Sequence, residues 1–357
     1  MKNKNLKILS DFHHAGLLQS LILLFERRLG GEVYRPIGIE WFTQGYWKVY
    51  NHPATVEQFL GIGGATPDGT RKLNEVLYKQ GDFVYICHDI NSDQTNRAIT
   101  LEGFMQEDFD IVIATLPYHI EPFKRLCASH PSKPKLIYQI GNAWTIDAGL
   151  APNVMASAII NDVPQDIHFI SYHQEFDTQI FHPRIPILHQ SKNIYSFINV
   201  FNGQEHLASD WQLFQKMEKL MPDWTYKSYG GQCRDGSCDG TKALADKMRD
   251  ARFIWHTKQG GDGYGHIIFN TGAVGVPMIV KKQYYAGKLG EKLMIDGETC
   301  VAIDGMSMDA IKSKIEYYNE PERYERMCHA VYTNFMQNVN FDTEAENLKT
   351  FLANLKP

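Results

Sequence analysis

Between Trp255 and Val280 the chain reads W-H-T-K-Q-G-G-D-G-Y-G-H-I-I-F-N-T-G-A-V-G-V-P-M-I-V, an order that few folds accept. An apolar run, a glycine-dense turn, an apolar helical stretch, Gly-x-Pro and a second apolar run describe a strand–turn–helix–strand unit of an α/β sheet. Four glycines within six residues (Gly260, Gly261, Gly263, Gly265) let the backbone approach an anion closely, and a following helix N-terminus offers N–H groups and a positive dipole end. That density favours a phosphate cradle over a plain tight turn. Lys258 stands two residues before the glycines, and His266 falls in the first turn of the expected helix. Asp262 and Asn270 lie eight residues apart, a little over two helical turns, and can frame the two ends of one ligand.

The rest of the chain has the same alternation. Apolar runs at Leu6–Ser10, Phe83–Cys87, Asp110–Thr115, Leu136–Ile140 and Ile167–Tyr172 are separated by helical patterns, which predicts a parallel sheet covered on both faces. Leu17–Leu29 is expected to be helical and to stop at Gly30-Gly31. Glu40–Asp82 is less regular and carries Trp41, Phe42, Tyr46, Trp47 and Tyr50; it reads as an insertion near the substrate. His182-Pro183-Arg184-Ile185-Pro186 has the composition of a linker.

After the linker the pattern restarts. Strands are expected at Asn193–Phe201, Thr225–Tyr229, Phe253–His256, Pro277–Lys281 and Thr299–Ile303. Helices are expected at Leu207–Leu220, Thr241–Asp250, Asp309–Tyr318, Pro321–Asn338 and Thr343–Leu355. The fold class is therefore α/β, with two Rossmann-like doubly wound domains facing a cleft that should hold the active site, since ligands sit beyond the carboxyl ends of such strands.

A length of 357 residues suits two such domains. The net charge of −5 gives no electrostatic footprint for nucleic acid. The longest apolar run, Leu17–Phe25, is interrupted by Gln19 and Ser20 and is neither a membrane span nor a signal peptide. Six scattered cysteines fit free thiols in a reducing compartment, so a cytoplasmic location with no integral membrane segment is expected. Cys233 and Cys238 lack a second pair, and the histidines lack metal-ligand spacing, so no metal is expected.

At Asp262-Gly263-Tyr264-Gly265, then four residues, then Asn270-Thr271-Gly272-Ala273-Val274-Gly275-Val276-Pro277, the chain resembles glycosyltransferases of the GT-B fold with a C-terminal E-x7-E motif, family 4 among them. Glu175–Pro183 and Leu293–Ile303 resemble two further motifs of that family. The resemblance implies an N-terminal acceptor-side domain over residues 1–185, a C-terminal nucleotide-sugar domain over 186–338, and a final helix over 339–357 packing back on the first domain. It also implies transfer of a sugar from a UDP- or GDP-sugar to an acceptor hydroxyl, with no permanently bound cofactor.

Both motif glutamates are replaced, by Asp262 at the position the resemblance puts beside the donor sugar and by Asn270 at the position it puts at the ribose. The loop where the family grips the diphosphate with Arg and Lys reads Asn202-Gly203-Gln204-Glu205-His206. Lys258 is the best substitute, with Lys281 and Lys282 behind it. The donor-binding set is thus Lys258, Gly260, Gly261, Gly263, Tyr264, Gly265, His266 and Asn270.

On the acceptor side, the loop after the first strand supplies Asp11, His13, His14 and Gly16, and His88-Asp89 follows another strand. The motif class is a retaining one. If the chain instead inverts, Asp11, His13 or Asp89 is the candidate base. His119, His168 and His173 read as ordinary strand-end or loop residues. The acceptor stays open among a glycan, a lipid-linked saccharide, a small molecule and, against the acidic charge, a hydroxylated base in DNA. A sugar-nucleotide epimerase on this fold and a non-catalytic nucleotide-sugar-binding protein are the alternatives.

Overall fold

The computed structural model describes residues 5–11, 15–36, 40–46, 75–80, 83–88, 97–141, 148–184, 191–261 and 264–357. The chain divides into two compact units, one of residues 1–175 together with 341–357, the other of residues 176–340.

In the first unit β1 (Lys7–Ser10) leads to α1 (Ala15–Ile22), which continues as a π-helical turn over Leu23–Arg28. There follow β2 (Glu32–Pro36), α2 (Glu40–Thr43), β3 (Glu75–Gln80), β4 (Phe83–His88), β5 (Arg97–Ile99), α3 (Leu101–Gln106), β6 (Ile111–Ala114), α4 (Pro117–Ser129), β7 (Lys135–Ile140), β8 (Asn153–Ala156) and β9 (His168–Ser171). Seven strands form one sheet in the order β5-β2-β1-β6-β7-β8-β9. Every pair is parallel, with Ile8 opposite both Val33 and Ile111. Ile8, Leu9, Val112, Ile113, Val154 and Met155 are fully buried, as strands covered on both faces require.

The Phe83–Cys87 run departs from expectation. It forms β4, but in a separate antiparallel pair with β3, Tyr85 opposite Tyr78. An apolar run specifies a strand without specifying its partner.

The second unit contains β10 (Asn193–Ser196), α5 (Ala208–Leu220), β11 (Thr225–Ser228), α6 (Gly240–Asp250), β12 (Phe253–His256), α7 (His266–Val274), β13 (Met278–Val280), β14 (Cys300–Ala302), α8 (Met308–Asn319) and α9 (Pro321–Asn338). Its five strands are all parallel, in the order β11-β10-β12-β13-β14. The strand expected to reach Phe201 stops at Ser196, because the chain turns through Val200, which adopts φ +54°.

The last helix, α10 (Phe341–Ala353), returns to the first unit. Ala345, Leu348 and Phe351 join that unit's hydrophobic core. Asn153 fastens the end of the chain, donating to Lys356 O at 3.1 Å and accepting from Lys356 N at 2.8 Å. Arg28 donates through Nε to both carboxylate oxygens of Glu175 at 2.6 Å, and through Nη1 to Asp342. One guanidinium thus fastens the segment that ends the unit's first pass to the segment that begins its return. Among the described residues no helix is long and apolar enough to cross a membrane.

Candidate functional site

Each of the two parallel sheets has one point where the strand order reverses, and a doubly wound sheet opens a ligand crevice beyond the carboxyl ends of the strands there. In the second unit that point lies between β10 and β12, and the glycine-rich loop begins at the end of β12.

The loop is held from below. Trp255 Nε1 donates to Thr257 Oγ1 at 2.9 Å, Tyr285 OH donates to His256 O at 3.2 Å, and the same hydroxyl accepts from Lys258 N at 3.3 Å. Gly260 and Gly261 follow with φ of +81° and +60°, and Gly261 N donates to Lys258 O at 2.9 Å. A Cβ on Gly261 would overlap the carbonyl oxygen of Tyr284 and lie 2.6 Å from Lys288 Nζ, so glycine is required for space as well as for φ. Lys288 Nζ donates to Gly260 O and, at 3.1 Å, to Tyr284 O.

Gly265 then caps α7 without a side-chain hydrogen bond, accepting from Ile268 N at 2.9 Å. The N-cap of α7 is thus a glycine with no side chain, and helix N-termini of this kind are where backbone N–H groups meet anions. Tyr264 stacks on Phe269 with centroids 4.4 Å apart and meets His266 edge-on at 5.2 Å. Asn270 is 6% exposed, and its Oδ1 has no hydrogen-bond partner among the described residues. A buried amide oxygen left so costs about 1–3 kcal/mol, an arrangement expected where a ligand donates to it. Gly275, with φ +69°, ends the helix before β13.

Of the donor residues read from the sequence, Lys258, Gly260, Gly261, Tyr264, Gly265, His266 and Asn270 share this one loop and helix, while Asp262 and Gly263 lie outside the described residues. Lys281 is engaged elsewhere: its Nζ lies 2.6 Å from Oδ1 of the fully buried Asp210 and 3.1 Å from Tyr284 OH. Burial works to lower its pKa, but the hydrogen bonds to Asp210 and Tyr284 outweigh it and hold the ammonium above its ordinary value. Lys282 N donates to Asp304 Oδ2 at 2.9 Å. Lys288, Tyr284 and Tyr285 escape a sequence reading because they approach the loop from another segment, and Asp210 because it reaches Lys281 from α5; the Tyr284-x3-Lys288 spacing after β13 is the one local signal.

In the first unit the reversal lies between β1 and β6. Asp11 directly follows β1 there with both carboxylate oxygens engaged: Oδ1 accepts from Thr115 N at 2.6 Å and Oδ2 accepts from His119 Nδ1. His119 is no ordinary loop residue. It sits in the first turn of α4, fully buried and stacked on Phe123 at 5.7 Å. His168 lies in β9, stacked on Phe351 with Nε2 2.8 Å from Phe351 O. His173 Nδ1 is 2.6 Å from Glu344 Oε1. Gly16 is in the first turn of α1, His88 ends β4 outside the main sheet, and His13, His14 and Asp89 lie outside the described residues.

No family model matches the chain, and no curated protein matches it in sequence. Solved structures do share its fold. The HepE protein of Anabaena, in complex with UDP and glucose, is 12% identical with a TM-score of 0.61, over 98% of this chain and 100% of that one. An alpha-glucosyltransferase in complex with UDP and a 13-mer DNA is 10% identical with a TM-score of 0.61, again over 98% and 100%. A glycosyltransferase from Rickettsia africae is 10% identical with a TM-score of 0.57, over 98% and 99%. At these identities the likeness establishes the fold, two Rossmann-like units of the GT-B kind.

Proposed function

We propose that the chain is a glycosyltransferase that moves a sugar from a nucleotide-sugar donor, UDP- or GDP-linked, to an acceptor hydroxyl. The observation that carries this reading is Asn270: a buried amide whose oxygen has no hydrogen-bond partner among the described residues, in the helix that follows the glycine turn at the reversal point of a parallel sheet. The solved structures that share the fold include proteins holding UDP and UDP-glucose, which supports a uridine donor first.

In this reading Asn270 binds the ribose as donor and acceptor without a charge. The glycine turn and the start of α7 receive the diphosphate, Asp262 is assigned to the donor sugar, and His266 to the donor or its phosphate. Transfer to a hydroxyl in DNA has the support of one fold neighbour that binds DNA, and the net charge of −5 weighs against it. Asp11, with both carboxylate oxygens engaged in the fold, supports retaining chemistry over an inverting route through that carboxylate.

The test is a thermal-shift screen against UDP-, GDP-, ADP- and dTDP-sugars, since a ligand that binds the folded state raises its melting temperature. Stabilisation by one nucleotide class, lost in Asn270→Ala, is expected. Stabilisation that survives unchanged in Asn270→Ala contradicts the site. Binding without hydrolysis or transfer across an acceptor panel leaves a nucleotide-sugar-binding protein instead.

A further inference from the structure

The geometry points to Lys288 as a cation of the donor site beside Lys258, holding the glycine turn and facing the diphosphate of the nucleotide sugar; this rests on the donor-site reading above. A leaving nucleoside diphosphate carries charge that neutral N–H groups answer only in part, and charge-assisted hydrogen bonds are roughly twice as strong as neutral ones. The loop after β10, Asn202–His206, contains neither Lys nor Arg. Lys281 is bound to the Asp210 carboxylate at 2.6 Å. Arg252 is fully buried, its guanidinium 3.4 Å from the Tyr324 ring centroid and bonded to Asn319.

Lys288 is placed differently. Its ammonium bonds to the carbonyl of Gly260, the first glycine of the turn, and to that of Tyr284. Its Cδ lies 3.2 Å, and its Nζ 2.6 Å, from the point a Cβ of Gly261 would occupy. The missing side chain at Gly261 therefore leaves the space that the lysine fills. The two observations are independent, one a pair of hydrogen bonds and the other an excluded volume. Together they put a positive charge against the backbone that leads into α7. A lysine from the segment after β13 thus takes the part that the loop after β10 leaves vacant in composition.

The experiment compares UDP with uridine, and GDP with guanosine, by calorimetric titration on the full chain and on Lys288→Gln and Lys288→Arg. In Lys288→Gln the diphosphate-to-nucleoside affinity ratio is expected to fall roughly ten- to hundredfold, the loss of one charge-assisted hydrogen bond. Lys288→Arg should restore most of that ratio. A role confined to bracing the turn would weaken nucleoside and diphosphate together, keep the ratio, and overturn the proposal. So would an unchanged affinity for all four ligands. A wild-type chain that binds neither UDP nor GDP would instead remove the donor-site reading itself, and Lys288 with it.

Discussion

Asp11 and His119 form a carboxylate–imidazole pair in which both side chains are fully buried, at the point where the first sheet reverses its strand order. The carboxylate also holds Thr115 N at 2.6 Å, so one residue ties the end of β1 to the end of β6 and to the first turn of α4. Removing one partner of a buried pair costs more than the pair contributes, because the other is left unanswered. Asp11→Ala is therefore expected to lower stability by about 3–5 kcal/mol in urea denaturation. Asp11→Asn, which keeps an acceptor for Thr115 N, should lose less. Equal losses would show that the contact to His119, and not the one to Thr115, dominates.

Gly261→Ala is expected to abolish nucleotide binding and to destabilise the second unit. The left-handed backbone alone costs about 1–3 kcal/mol, and the added carbon overlaps Tyr284 O and crowds Lys288. Gly236, with φ +81° and open space where its Cβ would lie, provides the control. Gly236→Ala should cost only the backbone term and leave nucleotide binding intact. Melting temperatures with and without UDP measure both.

Arg28→Ala leaves the carboxylate of Glu175 without its guanidinium. Burial pushes the Glu175 carboxyl up, and Arg28 opposes that shift. The variant is expected to lose on the order of 3 kcal/mol and to raise hydrogen exchange in α10. Since a raised carboxyl keeps its proton to higher pH in the folded state, the folded chain then binds more protons than the unfolded one in the acid range. Stability of Arg28→Ala should accordingly fall as pH rises through that range. Exchange unchanged in α10 would show that its apolar contacts alone hold it.

Burial pushes the thiols of Cys127, Cys300 and Cys328 each up to about 12. Folded, they keep their protons; unfolded, they release them near 9.0. Between those values the folded state binds more protons, so stability falls as pH rises above about 9. A melting temperature that stays level from about pH 8 to pH 10.5 would contradict this. Alkylation near pH 8 should label the half-buried Cys238 before Cys127, Cys300 or Cys328, read by peptide mass mapping.

The elements most legible in the sequence are those whose signal is local. β12 matches its apolar run, Phe253–His256, residue for residue, and α9 begins at Pro321 and ends at Asn338 as its periodicity and N1 proline predict. β2 is not legible: Glu-Val-Tyr-Arg-Pro mixes charge with a terminal proline, and Arg35 is nevertheless 3% exposed. β8 opens on Asn153, a polar residue buried only because its amide bonds to Leu136 O and Lys356 O. The loop from Lys258 to Asn270 could be read because its chemistry is contiguous. Asp11 with His119, 108 residues apart, and Lys288 with Gly260, 28 apart, could not, because packing of separate elements creates those contacts.

The return of α10 to the first unit sets an order of assembly. Ala345, Leu348 and Phe351 complete a core begun by Ile8 and Leu9, so the residues of β1 wait for those of α10. A nascent chain that has reached residue 340 already has every residue of its second unit but only part of its first. During translation, the core of the first unit is thus completed only after every residue of the second has been made.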